Sequence, residues 1–359
     1  MSMHRIFVAA LTLVALLTSP FAAAEKTYTI RLAETWGPNS KILGETPRNM
    51  AAMAERMSSG RLKFRIDSSN KHKAPFGIFD LVRNGQYDMG HTASYYYKGT
   101  IPNAMYFTTI PFGMITPEMY AWFYHDDGMA LMQKVYEPYG LLSFPGGNTS
   151  NQMGGWFRKE INSLDDLKGL KMRIPGVGGE VFQRAGGTAV TLPGGELYTS
   201  LQTGVIDATE WVAPYNDMSL GLHEVARYYY YPGWHEPGPT LEMTVNKKAF
   251  ESLPKDLQRI VEVAARYANQ DMLDEYTARN NAALNLLLDK HDINVKPLPD
   301  DVLIALRQAS DDYLQEVIAS DPMAKKVYQS WKSFLDNASN YHRISEQAYI
   351  NTRDLESDN

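Results

Sequence analysis

Leu201-Gln202-Thr203-Gly204-Val205-Ile206-Asp207-Ala208 is the stretch on which the fold turns. A helical run closes at a glycine, which supplies a left-handed C-cap, and a strand reading Ile206 to Trp211 begins at once. The same punctuation stands upstream, where a helix ending Leu81-Val82-Arg83-Asn84-Gly85 precedes a strand from Tyr87 to Thr92. In both places the order is Gly-x-x-Asp, from Gly85 to Asp88 and from Gly204 to Asp207. Any βαβ chain can punctuate itself this way, but the recurrence points to two similar lobes.

Working outward, Ser163-Leu164-Asp165-Asp166-Leu167-Lys168-Gly169 leads into a strand from Leu170 to Ile174. Nearer the N-terminus, Thr27 to Leu32 and Leu62 to Ile66 alternate as strands around a helix spanning 46–58, which makes one βαβ unit. Beyond Asn246 the chain turns helical, starting at Ser252-Leu253-Pro254-Lys255-Asp256 with an amphipathic series from Leu257 to Ala268. A short strand, Ile293 to Pro297, interrupts before helices from Pro299 to Ser320 and from Pro322 onward. This order predicts an α/β protein of two lobes, each a mixed βαβ sheet flanked by helices, with long C-terminal helices. With no Gly/Ser linker between them, the lobes should be joined by several chain crossings that act as a hinge.

Composition narrows the chemistry. The 359 residues carry 35 Lys+Arg against 41 Asp+Glu, a net charge of -6, so no basic excess serves nucleic acid. There is no cysteine, which removes thiolate metal sites, a Cys nucleophile and disulfides. At the N-terminus His4-Arg5, the apolar run Ile6 to Leu17 and Ala22-Ala23-Ala24 before Glu25 read as a signal peptide of residues 1–24, cleaved on export. The run is shorter than the roughly 20 apolar residues of a membrane anchor. Of the 8 histidines, none forms an H-x-H or H-x-x-x-H pair for zinc. No G-x-S-x-G, P-loop or dinucleotide fingerprint is present either.

The densest polar signal lies between Gly147 and Pro239, where charged residues stand beside Gly or Pro at strand ends. Arg173 interrupts the apolar strand Met172-Arg173-Ile174; it reads either as a guanidinium entering a cleft to grip a carboxylate or as an edge-strand residue facing solvent. Glu210, Glu236 and the amide of Gln152 would make an all-oxygen set for sodium or calcium, although glutamates more often lie at the surface. Tyr95-Tyr96-Tyr97, Tyr228 to Tyr231 and the tryptophans offer aromatic walls or plain core.

Asp166-Leu167-Lys168-Gly169-Leu170-Lys171-Met172-Arg173-Ile174, Leu201 to Ala208 and the N-terminal leader together resemble the DctP-type solute-binding subunits of tripartite ATP-independent periplasmic (TRAP) transporters. The resemblance covers the whole chain after the leader. It implies a class II-like periplasmic binding protein, with 25–150 plus about 240–290 as lobe I, 151–239 plus about 291–320 as lobe II, and 321–359 as a C-terminal helical extension.

Many members have Glu-Asn after the Asp-x-x segment, whereas Glu210-Trp211 stands here, which counts against a sugar acid. With Gln152-Met153-Gly154-Gly155-Trp156-Phe157 and Tyr231-Pro232-Gly233-Trp234-His235-Glu236-Pro237-Gly238, the chain resembles the branch that binds 2-oxo acids or lactate through a metal ion. The resemblance assigns Na+ or Ca2+ to Gln152, Glu210, the Trp211 carbonyl and Glu236. It assigns the substrate carboxylate to Arg173 and Gln152, with Trp211 beside the ligand and Tyr97 as a candidate from the other lobe.

The expected function is capture of a small 2-oxo or 2-hydroxy monocarboxylic acid in the periplasm and its delivery to the small and large membrane subunits. No catalysis is expected, and a homodimer swapping its C-terminal helix is one possible assembly. Two alternatives stay open: a relative that binds another organic acid without metal, and a periplasmic metal-dependent hydrolase or lyase using Glu210 and Glu236 as base and acid.

Overall fold

The computed structural model describes residues 25–353 and Leu355. The leader read at 1–24 lies outside the described residues. Two mixed sheets organise the chain. The first has the order β2 (Leu62–Asp67), β1 (Tyr28–Glu34), β3 (Met89–Thr92), β10 (Thr240–Asn246), β4 (Leu141–Asn148), with β10 antiparallel to both neighbours. The second has the order β11 (Asn294–Pro297), β9 (Tyr228–Tyr231), β5 (Gly155–Phe157), β8 (Ala208–Thr209), β6 (Lys171–Arg173), β7 (Thr188–Val190). Helices cover each sheet, so the fold is the expected two-lobed α/β arrangement with long C-terminal helices.

The repeated Gly-x-x-Asp punctuation does the same job in both lobes. Gly85 and Gly204 take left-handed backbone, at φ 72° and 76°, where a side chain would be strained. Asp88 then lies against Arg31 of β1: its N–H donates to the Arg31 carbonyl at 2.9 Å, and its carboxylate accepts the Arg31 N–H at 2.8 Å. Asp207 repeats this on Lys171 of β6, at 2.7 and 3.0 Å. Each aspartate thus locks a new strand onto its parallel neighbour. The strand expected from Ile206 to Trp211 is only Ala208–Thr209, because Asp207 is spent on this clamp and the chain turns away at Glu210.

A 36-residue helix, Lys255–Lys290, joins the lobes and at 1.5 Å per residue runs for roughly 54 Å. Its buried stripe begins with Leu257, Val261, Ala264 and Ala268 in the core of the first lobe. Met272 and Tyr276 continue it into a cluster with Trp36, Tyr95, Val212 and Leu241, drawn from both lobes. Leu287 ends it in the core of the second, among Trp156, Leu197 and Tyr229. One amphipathic helix therefore braces both cores.

The chain passes between the sheets at 149–154, 232–239 and 247–293, the last through the long helix. The first two passages lie side by side: the Gly233 N–H donates to the Gln152 carbonyl at 3.0 Å, and the Gln152 N–H to the Glu236 carbonyl at 3.2 Å. A methyl group on Gly233 would stand 2.2 Å from the Gln152 oxygen, so only glycine lets the two passages touch. The helix Pro322–Ile344 folds back on the first lobe, burying Ala324, Val327 and Trp331 near Tyr106 and Trp122. No helix among the described residues is long and apolar enough to cross a membrane.

Candidate carboxylate and cation site

Strand register brings Arg173 and Glu210 together. β6 and β8 run parallel with Arg173 opposite Thr209, so both side chains leave the C-terminal ends of adjacent strands, where α/β sheets hold ligands. β6 lies between β8 and β7, which rules out the solvent-facing edge alternative: Arg173 is 1% exposed. Its Nε donates to the Leu192 carbonyl at 3.1 Å, and Nη1 pairs with the Glu210 carboxylate and the Glu210 carbonyl. The Trp211 ring lies 5.2 Å from the guanidinium carbon. Nη2 is buried without a hydrogen-bond partner.

The two interlobe passages complete the site. Gln152 comes from one and His235 and Glu236 from the other. Gln152 Nε2 donates to Glu236 Oε2 at 2.5 Å and to Thr149 Oγ1 at 2.9 Å, while Gln152 Oε1 is buried with no donor. Glu210 and Glu236 are 1% and 5% exposed, against the usual surface placement of glutamate. Oxygen or nitrogen atoms of Glu210, His235 and Glu236 lie within 4.8 Å of one another. Burial, and then the neighbouring Glu210 charge, push the Glu236 carboxyl above the usual range.

Two buried carboxylates thus face one guanidinium, an arrangement short of positive charge. A cation would supply it, and the donors fit: two carboxylates, the lone amide oxygen of Gln152 and the backbone after Glu210 are hard oxygen ligands.

From the first lobe the turn Ser94–Tyr97 closes over this cluster. Tyr95 and Tyr96 face it, and burial raises both hydroxyls, which also feel Glu210, Glu236 and Arg173. Tyr97 is placed elsewhere. Its hydroxyl lies 3.0 Å from that of Tyr136 and its ring stacks on Phe79, inside the first lobe. A run of tyrosines in a tight 3-10 turn directs neighbouring side chains to different sides, and the sequence did not say which pair would face the cleft.

His235 and Asp217 are the other residues that sequence reasoning passed over. Asp217 is buried and accepts from Trp156 Nε1 at 3.0 Å, Tyr229 OH at 2.8 Å and the Val212 N–H at 3.0 Å, which anchors the segment after Glu210-Trp211. Nothing in the sequence flagged it. His235 was visible as the residue before Glu236, but the search for paired histidines excluded it.

A cleft of 450 Å³ lined by Trp36, Phe76, Tyr96, Gly194, Trp211 and Leu220 borders the site. A larger groove of 570 Å³ between Tyr120, Ser150 and Asp274 lies apart from these groups.

Two lobes meeting at a buried arginine and a cluster of oxygen donors have the architecture of a solute-binding protein. Residues 32–321 match the profile of the bacterial extracellular solute-binding proteins, family 7 (DctP). The chain belongs to that family, which supplies the solute-binding subunits of TRAP transporters.

It is 41% identical, over 89% of its length and 88% of the relative's, to a monocarboxylate 2-oxoacid-binding periplasmic protein of Nostoc sp.. Two solved TRAP periplasmic solute-binding proteins share the fold with a TM-score of 0.89. That of Pseudoalteromonas atlantica, 50% identical over 92% of this chain and 100% of its own, holds sodium and pyruvate. That of Colwellia psychrerythraea, 52% identical over 91% of this chain and 100% of its own, holds calcium and pyruvate.

Proposed function

We propose that this protein captures a small 2-oxo or 2-hydroxy monocarboxylic acid of the pyruvate type and delivers it to TRAP membrane subunits. Arg173 receives the carboxylate, and a sodium or calcium ion held by Gln152, Glu210, the Trp211 carbonyl and Glu236 bridges ligand and protein. The observation that carries this reading is the set of buried, unpartnered polar atoms converging on two carboxylates: Arg173 Nη2 and Gln152 Oε1. A 2-oxo acid offers what they lack, an acceptor for the guanidinium and a second oxygen for the ion. The cation also offsets Glu210 and Glu236, which would otherwise repel an anion. Trp211 covers the Arg173 side of the ligand, and Tyr95 and Tyr96 take the place first given to Tyr97.

The reading is of binding without turnover; recovery of unchanged ligand from the denatured protein would decide it against the hydrolase or lyase alternative. Export through the leader at 1–24 would place the protein in the periplasm. We take lobe I as 25–150 with about 240–290, lobe II as 151–239 with about 291–320, and 321–359 as the C-terminal extension. The extension exposes Tyr341, Ile344 and Tyr349, which suits pairing with a second copy.

The test is calorimetric titration of chelator-treated protein with pyruvate and longer 2-oxo acids in choline, sodium and calcium buffers. Binding near micromolar, about -8 kcal/mol, that needs the cation is expected. Binding that survives removal of both ions would favour the metal-free alternative and remove the ion from the site.

A further inference from the structure

We propose that Lys98 is a latch across the cleft: by gripping Glu180 and the Gly176 carbonyl it holds the two lobes together and sets how slowly the bound acid leaves. This rests on the function proposed above and concerns retention of the ligand at that site.

The two halves of the latch grow from the two sides of the site. Lys98 ends the first-lobe turn Ser94–Tyr97, which carries Tyr95 and Tyr96. The helix Gly176–Arg184 begins in the second lobe just after Arg173, beyond Ile174 and Pro175. Lys98 Nζ donates to the Gly176 carbonyl at 3.2 Å and pairs with the Glu180 carboxylate one turn further along that helix. Turn and helix are pressed close. Gly176 takes left-handed backbone at φ 65°, and a methyl group there would stand 2.8 Å from Cγ of Tyr95, so the contact needs glycine.

The Lys98 and Glu180 side chains are 32% and 36% exposed, so water and salt reach the pair, and within one rigid body it would contribute little. Its partners, however, belong to different lobes. Opening the cleft breaks both Lys98 bonds together, while neither lobe needs them to fold. The ammonium binds Glu180 and Gly176 rather than Arg173 or Glu210, so it acts on the acid through closure. Lys98 and Glu180 are therefore positioning residues.

The experiment uses the full mature chain loaded with pyruvate and calcium, with release followed by stopped-flow tryptophan fluorescence. Lys98→Met, which removes both bonds, should speed release about tenfold and Glu180→Gln about threefold, with association changed less than about twofold. Adding Glu180→Gln to Lys98→Met should change nothing more, because Glu180 then has no partner. Unchanged release rates, or two substitutions that act independently, would overturn the proposal. A loss confined to association would overturn it too, since Lys98 would then only attract the anion.

Ionic strength gives a readout that does not depend on how a variant folds. Choline chloride, which brings no metal ion to the site, should speed release from wild type and leave Lys98→Met unaffected; equal salt responses would overturn the latch. Wild type that binds no 2-oxo acid would overturn the proposed function and this inference with it, whereas acid that binds and leaves equally fast from every variant overturns only the latch.

Discussion

Arg173 Nη1 holds Glu210 twice, through its carboxylate and through its backbone carbonyl at 3.3 Å, while Nη2 of the same guanidinium is left buried and bare. Glu210 therefore occupies one half of a fork that can grip a carboxylate with two parallel bonds. An ion on Glu210 would draw its charge away and leave the guanidinium for a substrate, which couples ion and acid in one pair of side chains.

Replacing Arg173 tests both roles. Arg173→Ala should abolish acid binding in titration. It also leaves Glu210 and Glu236 buried without a cationic side chain, a loss of about 3–5 kcal/mol in thermal unfolding that added Ca2+ should partly restore. Arg173→Lys should bind acid weakly, because an ammonium cannot offer the planar fork.

The ion's contribution is isolated by Glu236→Gln, whose amide oxygen can still accept from Gln152. Acid affinity in calcium buffer should fall about 5–150-fold, a coupling of roughly 1–3 kcal/mol, and should no longer respond to the cation. A variant that keeps wild-type calcium dependence would show that Glu236 is not a ligand.

Gly233→Ala probes the contact between the two interlobe passages. The new methyl would press on the Gln152 carbonyl, costing about 1–3 kcal/mol and weakening acid and ion binding together as Gln152 shifts. Gly195→Ala, where nothing lies within 4 Å, should leave the melting temperature nearly unchanged.

Glu242 sets a pH dependence away from the ligand site. It is buried in β10, accepting Tyr136 OH and Ser143 Oγ at 2.5 Å each, and burial raises its carboxyl to about 8. The folded state holds this proton more tightly than the unfolded chain. Its contribution is complete below the ordinary glutamate value of 4.5 and is lost as pH rises through about 8. Glu242→Gln should flatten that decline, gaining more than about 1 kcal/mol over wild type at pH 8 but little at pH 4. Unfolding curves at the two pH values measure the difference.

Local signals were legible and global ones were not. The caps at Gly85 and Gly204 and the strands they precede follow from backbone preferences over a few residues, as does the stripe from Leu257 to Ala268 from its helical spacing. Arg173 was conspicuous because a charge inside an apolar strand is rare. The strand after Gly204 was overextended, since the clamp made by Asp207 is a contact with Lys171, far along the chain.

By itself the sequence pointed to the class of fold and made Arg173 conspicuous, because alternation, capping and charge act at short range, whereas Gln152, Glu210 and Glu236 were singled out through the family resemblance. The tertiary structure alone decided that Gln152, Glu210, His235 and Glu236 share one buried volume, and that Tyr95 and Tyr96 face it where Tyr97 does not. Those outcomes depend on strand register and on how two separate passages lie against each other between the lobes, long-range packing that no local pattern encodes.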